Sequence, residues 1–325
     1  MKRKYSVFLG NVGTSFDRHC PNYSNKKFSI MELFERVASI DKITGVDLAA
    51  HPDIVENIDE VRKAIDKTGL KVASIVVDLF AQPVWKQGSF SSVLSEVREK
   101  ALQESKNVKD MAEEFGAGFI TIWPGQDGYD YHFQADYAQE RTWFADGIRD
   151  LCQYKPEIGV AMEYKIREPR THNYINTVGN TILTVKEVGE KNCGMAFDVG
   201  HAFFAYENAA ESVALMHKWG GNLMHIHIND NYSAADDDLI VGSVRILEYL
   251  ELIYWLRKTG YNGWYTMDQF PYREDGRDAV AESVEWLDTL EGVIDDADIE
   301  EITATIKMKD AVAANKLARK LIFNK

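Results

Sequence analysis

The sequence predicts a (β/α)8 barrel with an extra C-terminal helix, and three observations support this. Short strand-like runs alternate with helical stretches from end to end, in eight successive β–α units. Acidic or histidine residues stand at the ends of several strands, and the ends of parallel strands meet at one mouth when the sheet is closed. The 325 residues, of which 45% are hydrophobic, provide enough apolar material for one large barrel.

The predicted strands are short and rich in branched or aromatic residues, as strands buried on both faces should be. They cover residues 5–9, 45–49, 71–77, 119–123, 159–164, 194–198, 223–228 and 263–268. An open doubly wound sheet is the structural alternative. No GxGxxG turn follows the first strand, so that alternative has no support.

The predicted helices lie between these strands, and two of them have a glycine stop signal. They cover residues 30–40, 54–68, 94–115, 136–154, 177–190, 207–219, 246–258 and 278–290. Gly116 and Gly260 follow the third and seventh helices, where a glycine commonly ends a helix.

The chain divides into a catalytic barrel over residues 1–295 and a helical extension over 296–325. One further helix is predicted over 300–322, as a packing appendage or a subunit contact. The longest predicted loop, residues 11–28, follows the first strand at the mouth. Long loops there usually have a functional or interaction role.

Composition excludes several classes of function. The net charge is −14, with 51 acidic against 37 basic residues, so nucleic acid is not an expected partner. The three cysteines are far apart in sequence, as in a reduced cytosolic protein. The first apolar run is too short for a signal peptide, and no stretch reaches membrane-spanning length. We therefore expect a cytoplasmic protein without a membrane partner.

Four residues at the ends of predicted strands five to eight form a candidate metal site: Glu163, Asp198, His227 and Asp268. Three carboxylates and one imidazole suit Mn²⁺, Mg²⁺ or Co²⁺ better than a structural zinc ion. Each residue also has an ordinary structural interpretation. Glu163 could pair with Lys165, Asp198 could cap a helix, and His227 could be a core histidine.

Other residues near the strand ends are candidates for proton transfer or substrate binding. His225 and His227 point to the same side of one strand, so one can bind metal while the other packs deeper. His132, in a mouth loop, is a candidate general acid or base, although a surface histidine is an equal interpretation. The run from Asp236 to Asp238 is typical of a solvated turn but lies beside the mouth. Trp123, Gln126, Asn229 and Arg273 complete the predicted substrate-binding set with Lys165.

These residues resemble those of the xylose-isomerase-like superfamily of TIM barrels, which includes sugar isomerases, tagatose and psicose epimerases and endonuclease-IV-like proteins. The resemblance implies that Glu163, Asp198, His227 and Asp268 hold a divalent ion and that His201, three residues after Asp198, contacts substrate. The stretch HIHINDNYSAADDDLIVGS also resembles rhamnose isomerases. The chain lacks most of the histidines of endonuclease IV.

A narrower resemblance is to the catalytic subunit of bacterial C-glycoside deglycosidases. It rests on FLGNVGT, WPGQDGYDY, EYK-x-x-EPR, DVGHA and DQFPYRED. It implies a Mn²⁺-type ion, a small β-rich partner subunit, and cleavage of the carbon–carbon bond of flavonoid 3-oxo-C-glucosides by elimination.

Three functions remain open from the sequence. In C-glycoside cleavage, His132 or His201 moves the proton, with Glu163 as the alternative base. In a sugar isomerase or epimerase, Glu163 and Asp268 face each other across the sugar, but the short Asp268 side chain favours a role as ligand only. The third is a scaffold barrel without catalysis, which the presence of all four predicted ligands disfavours.

Overall fold

A computed structural model describes residues 3–15, 20, 22–168 and 170–323 of the chain. In chain order the strands are β1 (Tyr5–Phe8), β2 (Ile43–Ala49), β3 (Lys71–Val76), β4 (Phe119–Ile122), β5 (Gly128–Tyr129), β6 (Gly159–Glu163), β7 (Arg167–Glu168), β8 (Thr171–Asn173), β9 (Cys193–Asp198), β10 (Leu223–Ile228) and β11 (Tyr265–Met267).

Eight of these strands form a closed parallel barrel in the order β1-β11-β10-β9-β6-β4-β3-β2. The first strand closes the ring because it pairs in parallel with both β2 and β11. The predicted (β/α)8 barrel is therefore confirmed, and the open-sheet alternative is excluded. Strands β6 and β9 are buried along their whole length, as their continuous apolar sequences predict.

The helices surround the barrel: α1 (Ile30–Ala38), α2 (Pro52–Val55), α3 (Ile58–Thr68), α4 (Ser95–Phe115), α5 (Tyr137–Gln153), α6 (Val178–Val188), α7 (Val199–Phe204), α8 (Ala209–Trp219), α9 (Ile246–Thr259), α10 (Gly276–Asp295), α11 (Ile299–Met308) and α12 (Ala311–Phe323). The predicted stops are confirmed, since Gly116 and Gly260 end α4 and α9 with φ of 73° and 78°.

A small second sheet, in the order β5-β8-β7, lies outside the barrel. It joins the loop after β4 to the loop after β6, and its strand pairs are antiparallel. Its strands are only two or three residues long, so the sequence contains no run long enough to predict them. The sheet forms one wall beside the mouth.

The prediction of a single C-terminal helix over 300–322 is wrong, because the structure has α11 and α12 there. Lys309 leaves the helix with φ of 52°. The carboxylate of Asp310 then accepts hydrogen bonds from the backbone of Val312 (2.7 Å) and Ala313 (3.0 Å), which starts a new helix. Lys320 of α12 pairs with Glu301 of α11 at 2.5 Å, so the two helices fold back on each other.

The loop predicted over 11–28 is only partly covered, since residues 16–19 and 21 lie outside the described residues. Its start belongs to a 3-10 turn over Leu9–Val12 that packs at the barrel mouth. Within the part of the chain that the structure describes, no helix is long and apolar enough to cross a membrane.

Candidate metal centre

The four predicted metal ligands meet at the carboxyl end of the barrel. Glu163 ends β6, Asp198 ends β9, His227 lies in β10, and Asp268 directly follows β11. Each offers one ligand atom, and these atoms all lie within 4.8 Å of one another. The closed parallel sheet thus brings together four residues that are spread over more than one hundred positions of the sequence.

His227 lies at the centre of this cluster. Its Nδ1 atom is 3.2 Å from Glu163 Oε1 and 3.4 Å from Asp268 Oδ2. The side chains of His227 and Glu163 are 1% and 5% exposed, whereas that of Asp268 is 20% exposed. The cluster is therefore buried on the barrel side and reaches solvent at Asp268.

Asp198 combines a structural role with its place in the cluster. Its Oδ1 atom accepts a hydrogen bond from the backbone of His201 at 2.8 Å and so caps α7. The Asn229 amide donates to Asp198 Oδ2 at 3.0 Å. Gly200 permits this packing, since a Cβ atom there would lie 1.8 Å from Asn229 Oδ1. Asp198 therefore forms the helix cap that its structural interpretation predicted. The same contact orients its carboxylate within the cluster.

His201 joins the cluster to a second group of charges. Its Nδ1 atom lies 3.4 Å from Glu163 Oε1, and its Nε2 atom lies 3.2 Å from Asp236 Oδ2. Lys165 Nζ lies 2.8 Å from the same Asp236 oxygen and also pairs with Glu168. Among the described residues, the alternative ion pair between Glu163 and Lys165 does not form. Lys165 has two other carboxylate partners.

Burial and the neighbouring charges shift the pKa values of the cluster in different directions. Burial raises the pKa of Asp198 to about 7, and the nearby carboxylates add to this effect. Burial also raises the pKa of Asp268. Burial acts in the same direction on Glu163, but the attraction of His227, His201 and Lys165 outweighs it and leaves the pKa below its ordinary value. Burial lowers the pKa of His201, but Asp198 and Asp236 outweigh it and raise the value to about 9.

The residues present fit a divalent cation. His227 Nδ1 is buried and makes no hydrogen bond with any described residue, although it faces two carboxylates. Carboxylates held this close repel one another, and a cation between them removes both the repulsion and the cost of burying them. Oxygen ligands with one imidazole suit a hard or borderline divalent ion.

The acidic run 236–238 is less exposed than a solvated turn would be. The side chain of Asp236 is only 6% exposed, because it lies between Lys165 and His201. Burial and the charge of Asp236 raise the pKa of Asp238 well above its ordinary value. A solvated turn is therefore the wrong interpretation of Asp236. The sequence showed only that the run lies near the mouth.

Sequence reasoning missed two further acid–histidine pairs. Asp47, inside β2, lies 2.7 Å from His225 Nε2, and both side chains are fully buried. Burial raises the pKa of Asp47, but His225 and His227 outweigh it and hold the value at about 2. At the mouth, His51 Nδ1 lies 3.1 Å from Asp78 Oδ2. A charged residue inside the apolar run GVDLA was the one available signal for Asp47.

Three predicted substrate-binding residues lie near the mouth, and a fourth lies behind the cluster. Trp123 packs edge-on against Phe80 with ring centroids 4.5 Å apart, and Lys165 Nζ lies 5.3 Å from the Trp123 ring. Gln126 Nε2 donates to Phe80 O at 3.4 Å. Asn229 is fully buried and holds Asp198, which places it behind the carboxylate.

His132 and Arg273 lie outside the buried cluster. His132 is exposed in the turn before α5. Arg273 is exposed and stacks over the Tyr23 ring at 4.9 Å. The roles of both residues in catalysis and binding stay predictions.

A cavity of about 400 Å³ opens beside the mouth. It lies between the loop after β3, the loop after β4 and the small sheet. Its lining includes Phe80, Gln126, Tyr129, Glu168 and Arg170. Glu168 pairs with Lys165, so the cavity adjoins the charged group next to the cluster.

The chain is similar in sequence to known sugar enzymes. The family model described as "Xylose isomerase-like TIM barrel" matches residues 31–290. A xylose isomerase of Thermus thermophilus is 30% identical over 225 residues, which cover 67% of this chain and 58% of that protein. A xylose isomerase of Thermus caldophilus is 28% identical over the same shares. The chain thus matches about 58% of the length of these curated relatives.

Solved structures with the same fold include sugar epimerases. The 3-keto-D-glucoside 4-epimerase YcjR of E. coli superposes with a TM-score of 0.67 at 22% identity, covering 89% of this chain and 99% of that one. A D-allulose 3-epimerase from Methylomonas sp. gives a TM-score of 0.69 at 13% identity, covering 89% and 97%. At these identities the likeness shows the fold. The family match over residues 31–290 and the 30% identity to the Thermus thermophilus enzyme show that this chain belongs to the xylose isomerase-like TIM barrel family.

Proposed function

We propose that the chain is a metal-dependent enzyme that moves a proton next to the carbonyl group of a keto sugar. The observation that carries this proposal is the convergence of Glu163, Asp198, His227 and Asp268 within 4.8 Å at the barrel mouth. These residues would hold one divalent ion, Mn²⁺ in the first instance and Mg²⁺ or Co²⁺ as alternatives. When bound, such an ion polarises a substrate oxygen and lowers the cost of negative charge on it.

The residues around the ligands supply the proton transfers. Glu163 and His201 lie 3.4 Å apart, so a base and an acid stand side by side at the buried end of the site. The contact with Asp236 orients the His201 ring and favours its charged form. The raised pKa of His201 keeps a proton on the imidazole at neutral pH, and the lowered pKa of Glu163 keeps its carboxylate ionised, so the first has a proton to give and the second an oxygen to receive one.

Within this class we propose cleavage of 3-oxo-C-glycosides. A base of the cluster removes the proton from sugar C2, which the 3-keto group acidifies. The electron pair of that bond forms the C1–C2 double bond, and the bond from C1 to the aromatic carbon breaks. The aromatic carbon leaves with the bonding electrons and takes a proton from His201 or His132. No oxidant or reductant is needed, because one proton is lost and one is gained.

The space beside the mouth is consistent with an aromatic aglycone. The cavity of about 400 Å³ adjoins the charged group around Lys165, and Phe80 and Tyr129 contribute aromatic surface to its wall. Tyr131 and Phe133, on the same mouth loop, are 66% and 103% exposed. Exposed aromatic residues of this kind suit contact with a flat ring or with a partner protein. We therefore also propose a small β-rich partner subunit at the mouth.

Sugar epimerisation or isomerisation is the second candidate function. The curated relatives are xylose isomerases, and one structural neighbour acts on a 3-keto-D-glucoside. In this reaction the same base removes the proton, and the proton returns to the opposite face or to the neighbouring carbon. Glu163 and Asp268 both approach His227 Nδ1 and are the carboxylates available for it.

The experiment that separates these functions is a substrate comparison on purified protein loaded with Mn²⁺. A 3-oxo-C-glucoside, a 3-keto-O-glucoside and free ketoses are each incubated with the chain, with and without a co-encoded small β-rich subunit. Release of free aglycone from the C-glucoside supports the proposed cleavage. Epimerised or isomerised sugar without aglycone release supports the second candidate. A protein that binds no Mn²⁺ and converts no substrate favours a scaffold barrel.

A further inference from the structure

A second polar group lies inside the barrel, directly beneath the candidate metal centre. Asp47, His225 and His227 each offer a nitrogen or oxygen atom within 4.8 Å of the others. Their side chains are 0% to 1% exposed. A carboxylate this deep in a barrel is costly unless neighbouring donors satisfy it. The two imidazoles are the neighbours that can do so.

His227 belongs to both groups through its two nitrogen atoms. Its Nδ1 atom faces Glu163 and Asp268, and its Nε2 atom lies 3.5 Å from Asp47 Oδ2. A neutral imidazole carries its hydrogen on one nitrogen and binds a metal ion through the other. The hydrogen-bonding partner of one nitrogen therefore decides whether the other is available to a metal ion.

The surrounding contacts fix the orientation of Asp47. His225 Nε2 lies 2.7 Å from Asp47 Oδ2, and the Thr266 hydroxyl donates to Asp47 Oδ1 at 3.2 Å. Ser6 lies 2.6 Å from the Thr266 hydroxyl and 3.5 Å from Asp47 Oδ1. Both carboxylate oxygens are therefore held by residues of β1, β10 and β11 across the barrel interior, and Oδ2 stays turned towards the two histidines.

We propose that Asp47 is a positioning residue for the candidate metal centre: it holds the hydrogen of His227 on Nε2 and leaves the Nδ1 lone pair for the metal ion. The inference rests on the proposed metal site and adds a residue that does not touch the ion. A second cation between Asp47, His225 and His227 is the competing interpretation. The geometry disfavours it, because a cation there would have to displace the 2.7 Å contact between Asp47 and His225.

The first test measures Mn²⁺ affinity of metal-stripped protein by competition with a chelator. We expect Asp47→Leu to weaken binding by ~10–100-fold, the usual effect of losing the carboxylate behind a histidine ligand. Asp47→Asn should weaken it less, because its amide oxygen still accepts a hydrogen bond. Ser74→Ala is the matched control. Ser74 is opposite Asp47 on the neighbouring strand, is equally buried, and bonds Thr121 instead.

Each outcome of this test supports or overturns the proposal. Affinity equal to the wild type in both Asp47 variants overturns it. A wild-type stoichiometry of two ions, reduced to one by Asp47→Asn, also overturns it in favour of a second cation site. Far-UV circular dichroism of the metal-free variants separates lost affinity from lost folding. If Asp47→Leu does not fold, Asp47→Asn and the unmodified protein carry the test.

The second test observes the position of the hydrogen directly in unmodified protein loaded with the diamagnetic ion Mg²⁺. The chain has 8 histidines, few enough for ¹⁵N-histidine NMR, with His227 assigned by comparison with His227→Gln. We expect the hydrogen on Nε2, and a hydrogen on Nδ1 overturns the proposal. Protein that binds Mn²⁺ but converts no keto sugar overturns only the proposed function. Protein that binds no Mn²⁺ overturns both.

Discussion

The two ends of the barrel hold their charged residues in opposite ways. At the amino ends of the strands, every carboxylate of the main cluster has a basic partner. Arg3 Nη1 lies 2.7 Å from Asp288 Oδ1, Arg3 Nε lies 3.3 Å from Glu291, and Arg257 Nη1 lies 2.7 Å from Asp295. Lys42 adds a contact of 3.2 Å with Asp288.

At the carboxyl ends the balance is different. Glu163, Asp198 and Asp268 meet around His227, with ligand atoms within 4.8 Å of one another, and the imidazole of His201 lies between Glu163 and Asp236. The basic group of Lys165 is occupied by Glu168 and Asp236. Several polar atoms there, including His227 Nδ1 and His201 Nδ1, are buried and form no hydrogen bond with any residue that the structure describes.

This difference distinguishes a structural cluster from a binding site. Paired charges at the amino end satisfy one another and need nothing further. Unbalanced carboxylates at the other end cost stability in the empty protein, and a bound cation would remove that cost. The charge balance, more than the number of charged residues, therefore marks the functional end of the barrel.

The largest expected effect comes from removing a ligand of the unbalanced end. Asp198→Ala should abolish metal binding and activity together, by more than the ~10–100-fold expected for an outer carboxylate. Metal analysis and turnover of the purified variant check this. Asp288→Asn, which removes a carboxylate from the paired end, is the control and should keep its metal. An Asp198→Ala protein with full metal content contradicts the assignment.

The next effect concerns proton transfer beside the metal site. His201→Gln should lower turnover by ~10²–10⁴-fold with metal content unchanged, because it removes a general acid but none of the four ligands. His132→Ala is the comparison, since His132 is the other candidate and lies in an exposed turn. Turnover and bound metal are measured for both. A large loss in His132→Ala alone would assign the proton transfer to the mouth loop.

The two ends should also respond to pH with opposite signs. Asp198 has an ordinary pKa of 3.8 and a folded value of about 7, so the folded metal-free protein holds a proton that the unfolded chain has released. Its stability should therefore fall as the pH rises from about 4 to about 7. Burial raises the pKa of Asp288, but Lys42 and Arg3 outweigh it and lower the value, so its contribution is present above 3.8 and lost in acid.

Urea unfolding across this pH range tests both signs in one series. Asp198→Asn should reduce the fall in the free energy of unfolding of the metal-free protein between pH 4 and pH 7. Saturating Mn²⁺ should have the same effect on the wild type. Asp288→Asn should instead reduce the loss of stability at acidic pH. Stability–pH profiles that are identical for the wild type and both variants would contradict the proposed electrostatic difference between the two ends.

The smallest expected effect is at the paired end at neutral pH. Asp288 is 33% exposed, so Asp288→Asn should cost about 0–1 kcal/mol in the free energy of unfolding, the range of exposed ion pairs. Its turnover should equal that of the wild type. A loss of turnover without loss of stability would show that the amino end contributes to function.

Much of the fold and the metal cluster could be predicted because their signals are local and repeated. Each strand is a short apolar run, and four of the runs, those of β6, β9, β10 and β11, carry at or beside their ends a residue that can bind a cation. The rule that parallel strands of a closed barrel end at one mouth then brings Glu163, Asp198, His227 and Asp268 together without knowledge of any side-chain contact. The break between α11 and α12 was missed, although Asp310 is a typical helix cap, because the helical pattern continues on both sides of it.

The contacts that decide how the site works depend on strands and loops far apart in sequence. Asp47 and His225 are 178 positions apart, and only barrel closure shows that they meet beneath His227. Lys165 pairs with Asp236 instead of with the nearby Glu163, because the loop after β10 folds over it. The sequence by itself thus determined the barrel, the mouth and the ligand types. Only the tertiary structure decided which charges are balanced, because the energy of a buried charge depends on its neighbours in space.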